Sequence, residues 1–352
     1  MKAWENNIRK VVPYVPGEQP KMEQVIKLNT NENPYPPSPK VKKAQMDLDR
    51  LRLYPDPEAK DLVHAIASYH GVEDDQVFVG VGSDDVLAMS FLTFFNSDRP
   101  VLFPDITYSF YDVWADLFRI PYETPALDDD FRIVAEDYYK ENGGVIFPNP
   151  NAPTGQLVEL AFIEDILAHN QDVIEIVDEA YIDFGGQTAL PLLEKYENLL
   201  VVRTFSKSRC LAGLRIGYAI GNPALIKALN DVKYSFNSYT MNYPTIVMGT
   251  ACMQDEEYFQ NTVAKVMATR EWFGKELTRL GFTFGKSYAN FIFAKHKKVP
   301  AREIFEAAKK EHIYVRYFDK ARINDYLRIS IGTEEEMKTF VAFLEKFLGN
   351  RE

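Results

Sequence analysis

From residue 76 to residue 221 one pattern recurs: a short apolar run of strand length, then a stretch of helical character. The runs are QVFVGVG (76–82), RPVLFPD (99–105), GVIFPNP (144–150), DVIEIVDEAY (172–181), LLVVRTF (199–205) and RIGYAIG (215–221). Helical segments such as DDVLAMSFLTFF, YSFYDVWADLF and ELAFIEDILAHN separate several of them. The runs are apolar on both faces instead of alternating, as in strands covered by helices on either side. The pattern therefore predicts an α/β fold with a mostly parallel sheet between helices.

Beyond about residue 255 the scale shrinks. A long helical stretch, EEYFQNTVAKVMATREWFGKELTRLG, leads into FTFGKSYANFIFAK, AREIFEAAKKEH, IYVRYF, DYLRISIG and EEEMKTFVAFLEKFLG. This reads as a smaller α+β domain. A chain of 352 residues exceeds what one core usually holds, which agrees with two domains. The expected division is an N-terminal arm at 1–40, lying with the small domain, a large domain at 41–260 and the small domain at 261–352. The arm is rich in Pro and Asn, and Tyr14, Leu28 and Tyr35 give it apolar anchors.

A formal charge of −11 argues against a nucleic-acid partner but leaves room for a small anion held by a few arginines. Two cysteines and five scattered histidines form no disulfide framework and no metal motif. No apolar run reaches membrane-spanning length, so a cytoplasmic protein without membrane contact is expected.

In a parallel sheet, ligands sit beyond the carboxyl ends of the strands. Gly82, Ser83 and Asp84 follow the first run and open a helix. Asn149 to Gly155 follow the third. Asp178 and Tyr181 close the fourth, and Ser206 and Lys207 follow the fifth. A lysine at the tip of a buried strand is partly desolvated, which favours the reactive neutral amine. Ser206 and Arg215 flank it and can hold an anion. Ser83 is a good N-cap residue, and free N–H groups at that helix start attract phosphate. An acid such as Asp178 can pair with a cationic ligand. Taken singly, each has a plain alternative: a turn lysine, a capping aspartate, a helix start that binds nothing.

Together the motifs resemble one family. Asp178-Glu179-Ala180-Tyr181, Ser206-Lys207, the stretch Leu211 to Tyr218 (LAGLRIGY) and Pro150 to Gly155 (PNAPTG) are similar to the pyridoxal-phosphate (PLP)-dependent class I/II aminotransferases of the aspartate-aminotransferase-like fold type I. Pro13-Tyr14, LNTNENP (28–34), RLYP (52–55) and LRISIGT (327–333) bring the chain nearest to the histidinol-phosphate branch. The resemblance implies a large PLP-binding domain with a mostly parallel seven-stranded sheet, and a homodimer with a shared active site. It implies that Lys207 bonds the cofactor and then shuttles a proton. Asp178 would hold the pyridine nitrogen, Tyr181 the ring oxygen, and Tyr108 would stack on the ring. Ser83, Asp84, Ser206 and Arg215 would hold the phosphate, with Tyr54 reaching it from the other subunit. Tyr14, Asn33, Arg316 and Arg328 would bind substrate.

One position departs from the family pattern. The residue before Pro-Thr-Gly is usually an Asn that touches the ring oxygen, and here it is Ala152. Either Asn151 takes the role by a small backbone shift, or Tyr181 carries it alone. The implied substrates are histidinol phosphate and glutamate/2-oxoglutarate, in histidine biosynthesis. Histidinol phosphate carries a phosphate ester where amino acids carry a carboxylate, and a dianion suits two guanidinium groups. An aromatic amino-acid aminotransferase and a threonine-phosphate decarboxylase of the same fold are the rival readings. A non-enzymatic PLP-binding module is not expected.

Overall fold

The structure, a computed structural model, describes residues 2–20 and 25–349; of the N-terminal arm, residues 1 and 21–24 lie outside the described residues. In chain order the strands are β1 (Ile26–Leu28), β2 (Val77–Gly80), β3 (Val101–Leu102), β4 (Tyr122–Glu123), β5 (Gly144–Pro148) and β6 (Glu175–Asp178). They continue as β7 (Leu199–Thr204), β8 (Gly217–Gly221), β9 (Phe282–Phe284), β10 (Phe291–His296), β11 (Ile313–Tyr317) and β12 (Leu327–Ser330).

The large sheet is seven-stranded, in the order β2-β8-β7-β6-β5-β3-β4. All its pairings are parallel except those of β8, which runs antiparallel to both β2 and β7. Successive residues of the buried strands serve opposite layers, as the two-residue period of a strand requires. Ile146, Ile176, Leu200 and Val202 pack with Phe91, Trp114 and Leu229. Val145, Val177, Leu199 and Val201 pack with Ile163, Ile166 and Leu167 on the other face. Burial on both faces is the reason these runs carry no polar alternation.

The second sheet has the order β1-β11-β12-β10-β9. Its strand β1 comes from the N-terminal arm and pairs parallel to β11. The helices Glu256–Arg279 and Glu334–Gly349 supply its core through Phe273, Leu277, Phe340 and Leu344. Among the described residues no helix is long and apolar enough to cross a membrane.

The strands of the large sheet are shorter than their apolar runs, and at two of them the cause is a local turn. Strand β6 stops at Asp178, because Glu179 to Tyr181 turn into a short 3-10 helix at Ile182–Phe184. Strand β8 starts at Gly217, because Arg215 sits at φ +54°.

Candidate active site

The parallel strands β2, β5, β6 and β7 bring their carboxyl ends to one edge of the large sheet. Because β8 runs the other way, its first residue, Gly217, lies there too, opposite Gly80 and Thr204. At this edge a cavity of about 280 Å³ is lined by Ser83, Asp84, Tyr108, Asp178, Tyr181, Ser206, Lys207 and Arg215. A second cavity of about 640 Å³ opens beside it, shares Tyr108, Tyr181 and Lys207, and adds Tyr14, Arg316 and Arg328.

Lys207 donates from Nζ to the Thr30 carbonyl at 3.1 Å, and Nζ lies 5.6 Å from the Tyr181 ring centre. Asp178 is 4% exposed. Its carboxylate accepts the Tyr111 hydroxyl at 2.9 Å and the Ala180 N–H at 3.2 Å. Burial raises its pKa to about 6, against the opposing pull of these two donors. The Ala180 contact closes a local turn; the residue flanking the next helical segment is Tyr181, so Asp178 does not cap it.

The helix Ser83–Phe94 begins where β2 ends, with Gly82 in the cap position. Ser83 is thus the first helical residue and not the N-cap expected from its type. Gly82 holds φ +86°, and a Cβ there would lie 2.3 Å from Nη2 of Arg215. A Cβ on Gly217 would lie 2.2 Å from the Ser83 nitrogen. The two glycines let the start of β8 and the Arg215 guanidinium close on the helix N-terminus, whose free N–H groups carry partial positive charge. Arg215 contacts Asp84 at 3.0 Å and Ser206 Oγ at 3.4 Å. Tyr108 donates to the other Asp84 oxygen at 2.6 Å. Burial, with the Asp84 charge adding, pushes the Tyr108 phenol well above its ordinary range, which keeps it a donor.

Arg316 and Arg328 stand directly opposite each other on the antiparallel pair β11–β12. Two like charges so placed repel. Arg328 donates from Nη2 to the Asn29 carbonyl at 3.0 Å, while its buried Nε has no partner among the described residues. Burial, with Arg316 adding, holds the Arg328 guanidinium below its usual range. Tyr14 stacks on Phe110 at 4.1 Å along the wall of the larger cavity.

Three expected residues lie elsewhere. Asn151 does not line either cavity: its amide donates to the Ile106 carbonyl and to Thr154, and its oxygen accepts from Thr107, so it ties the loop after β5 to the loop after β3. Ala152 faces the cavity instead. Asn33 also turns away, donating to the backbone carbonyls of Lys207 and Ser208 at 3.1 and 3.3 Å. It fixes the lysine's backbone and does not line the substrate cavity. Tyr54 is 82% exposed, stacked on Tyr239 and outside both cavities. Conversely, Thr30, Asn31, Tyr111 and Ser330 were not foreseen. Thr30 and Asn31 fall inside the LNTNENP motif and Ser330 inside LRISIGT, which were the available signals; Tyr111 has none in sequence.

The chain matches the family described as aminotransferase class I and II over residues 23–344, and it belongs to that family. The histidinol-phosphate aminotransferase of Lactococcus lactis subsp. cremoris is 53% identical over 352 residues, which cover 99% of each protein. Histidinol-phosphate aminotransferase 1 of Hydrogenovibrio crunogenus is 53% identical over 336 residues, 95% of this chain and 94% of that protein. Identity at this level over nearly the whole length places the chain among the histidinol-phosphate aminotransferases. Among solved structures, histidinol-phosphate aminotransferase from Sinorhizobium meliloti in complex with pyridoxal-5'-phosphate superposes with a TM-score of 0.83 at 25% identity, covering 93% of this chain and 92% of that one.

Proposed function

We propose that this enzyme uses PLP to transfer an amino group between L-histidinol phosphate and 2-oxoglutarate, in histidine biosynthesis. The observation that carries the phosphate specificity is the register Arg316 opposite Arg328. A protein gains nothing from holding two guanidiniums side by side at a cavity wall unless an anion joins them. A phosphate ester has the charge and the oxygens to bind both.

The smaller cavity fits PLP by its donor set. An amine, a buried carboxylate, a phenol and a helix N-terminus with an adjacent guanidinium line one space, and Gly82 and Gly217 let that guanidinium lie close against the helix start. When bound, PLP supplies an aldehyde carbon that takes over the amino group and a protonated ring that withdraws electrons. Lys207 would attach to that carbon. Its freed amine would then move the proton from the amine-bearing carbon of the substrate to the cofactor carbon that keeps the amino group, and the reverse way in the opposite half-reaction. Asp178 would hold the ring nitrogen protonated by charge pairing in a dry site. Tyr181 would donate to the ring oxygen, and Tyr108 would cover the ring. The Ser83 and Asp84 backbone, Ser206 and Arg215 would bind the cofactor phosphate. Asp84, paired with Arg215 in this structure, would give up part of that contact. Arg316, Arg328 and Tyr14 would orient the substrate by its phosphate and its side chain, and closure around it would exclude water.

The exposed Tyr54 finds a role if two copies share their sites, so the active form is read as a homodimer. The sheets suggest a large domain at 41–260 and a small one at 261–352, with the arm joined to the small one through β1. The free cysteines Cys210 and Cys252 fit a reducing cytoplasm.

The test is a spectroscopic half-reaction screen of the PLP-loaded protein with histidinol phosphate, phenylalanine, tyrosine and threonine phosphate. Histidinol phosphate should bleach the cofactor band at the lowest concentration. Preference for phenylalanine, or release of CO₂ from threonine phosphate, would refute the assignment.

A further inference from the structure

A buried amide joins the small sheet to the cavity tyrosine. Asn31 is 1% exposed and sits at φ +56°, a left-handed conformation that Asn adopts more readily than most residues. Its amide nitrogen donates to the Tyr181 hydroxyl at 2.9 Å. Its side-chain oxygen accepts the Ser330 hydroxyl at 2.9 Å, and its backbone N–H donates to that same hydroxyl at 2.9 Å. Asn290 donates to the Asn31 carbonyl at 2.9 Å and pins the backbone.

These contacts decide which way the amide faces. Ser330 is buried, and its proton needs an acceptor. Asn31 Oδ1 is that acceptor. Turned over, the amide would give Ser330 a second donor and leave its proton stranded. The NH₂ group therefore faces Tyr181, whose oxygen is the acceptor. Among the described residues no acceptor meets the tyrosine's own proton, and Tyr181 lines the cavity. That proton is left for whatever the cavity holds.

We propose that Asn31 is a positioning residue: held by Ser330, it turns the Tyr181 hydroxyl proton toward the cofactor's ring oxygen and compensates for the amide missing at Ala152. The inference rests on the PLP reading above. Asn151 cannot serve instead, since both ends of its amide are engaged: the oxygen by Thr107 and the nitrogen by the Ile106 carbonyl and Thr154. The relay also ties the ring-oxygen contact to β12, the strand that carries Arg328.

Three variants test it: Tyr181→Phe, Asn31→Gly and Ser330→Ala. Glycine accepts the left-handed backbone, so Asn31→Gly removes the amide with little strain. Two quantities are read: the midpoint pH of the visible cofactor band, and the dissociation constant of PLP from the apoprotein by fluorescence titration. A donor at the ring oxygen stabilises the deprotonated form of the chromophore, so its loss raises the midpoint. Tyr181→Phe should raise it by about one unit and weaken PLP about tenfold, the scale of one hydrogen bond. Asn31→Gly should give at least half of both effects, and Ser330→Ala a smaller shift of the same sign. Should Asn31→Gly fail to melt cooperatively, Ser330→Ala decides alone, because it leaves the Asn290 anchor in place. Lowered melting temperatures with an unmoved midpoint in the Asn31 and Ser330 variants, while Tyr181→Phe shifts, would overturn the relay alone. An unmoved midpoint in Tyr181→Phe would overturn the ring-oxygen contact and the relay with it.

Discussion

Replacing Arg316 by Gln should make the resting enzyme more stable and the working enzyme worse. Arg316 and Arg328 are cross-strand partners, so their side chains leave the same face of the small sheet. For two unit charges on the order of 7 Å apart in an effective dielectric of about 20, the spacing reachable by cross-strand side chains, the repulsion is about 2 kcal/mol. Arg316 also lies 5.5 Å from the Phe318 ring, a contact worth about 0.5–1 kcal/mol. Removing the charge should therefore stabilise the substrate-free protein by about 1 kcal/mol. Once a phosphate ester is bound the balance reverses, because the second guanidinium then attracts. Loss of one partner of a desolvated charge pair costs about 2–5 kcal/mol, at least about thirtyfold in kcat/KM for histidinol phosphate. Melting curves of the PLP-loaded protein with and without inorganic phosphate read the first half, with the cofactor's own phosphate site already filled. Phosphate should raise the melting temperature of the wild type and leave that of Arg316→Gln nearly still. A variant that melts lower without ligand, together with a wild type indifferent to phosphate, would refute the electrostatic argument.

Four further outcomes follow from other parts of the site and core. Borohydride should fix PLP on Lys207, and Lys207→Ala should lose the reducible band; peptide mapping of the label checks this. Asp178 has its pKa raised to about 6 in the ligand-free chain, so its charge is fully present only above that pH. Relative to Asp178→Asn, wild-type affinity for PLP should therefore be greatest above about pH 6 and lose its advantage as pH falls through it, as equilibrium dialysis would show. Glu175, at the amino end of β6, is 0% exposed, neither of its oxygens has a hydrogen-bond partner among the described residues, and burial pushes its pKa well up. Its stabilising balance is complete below the ordinary carboxyl range and is lost as pH rises, by about 1.4 kcal/mol per unit while the buried group stays protonated; Glu175→Gln should flatten that slope in melting curves taken from pH 5 to 8. Finally, mixing inactive Tyr54→Ala and Lys207→Ala proteins should regenerate sites with both residues intact if the sites are shared, and failure to recover activity would count against the dimer.

The sequence revealed the large sheet because its strands are buried on both faces and therefore stand out as unbroken apolar runs. The ends of those runs delivered Asp178, Ser206, Lys207 and the Gly82 turn without any tertiary information. The two-residue strands β3 and β4 show how little pairing an edge needs, and no pattern could have bounded them. Strand β1 was hidden for a different reason: three residues of an arm pair with a strand almost 290 positions away, a contact no local window contains. Ser330 and Asn31 meet across a similar separation. Asn151 and Asn33 were misjudged because a motif gives the position of a side chain and not its direction. Both amides satisfy backbone carbonyls of loops distant in the chain, Ile106 for Asn151 and Lys207 and Ser208 for Asn33, which no local window contains.

The reversed direction of β8 has a consequence for how robust the centre is to change. A parallel neighbour to β7 would have required a crossover back to the opposite end of the strands and would have entered the sheet from there. The antiparallel return stays at the same end of the sheet, and that one connection, residues 205–216, carries Ser206, Lys207 and Arg215 together. Amine and guanidinium are thereby spaced by a single covalent segment, clamped at both ends by the sheet. Insertions that most loops of this protein could absorb would here separate the two groups directly.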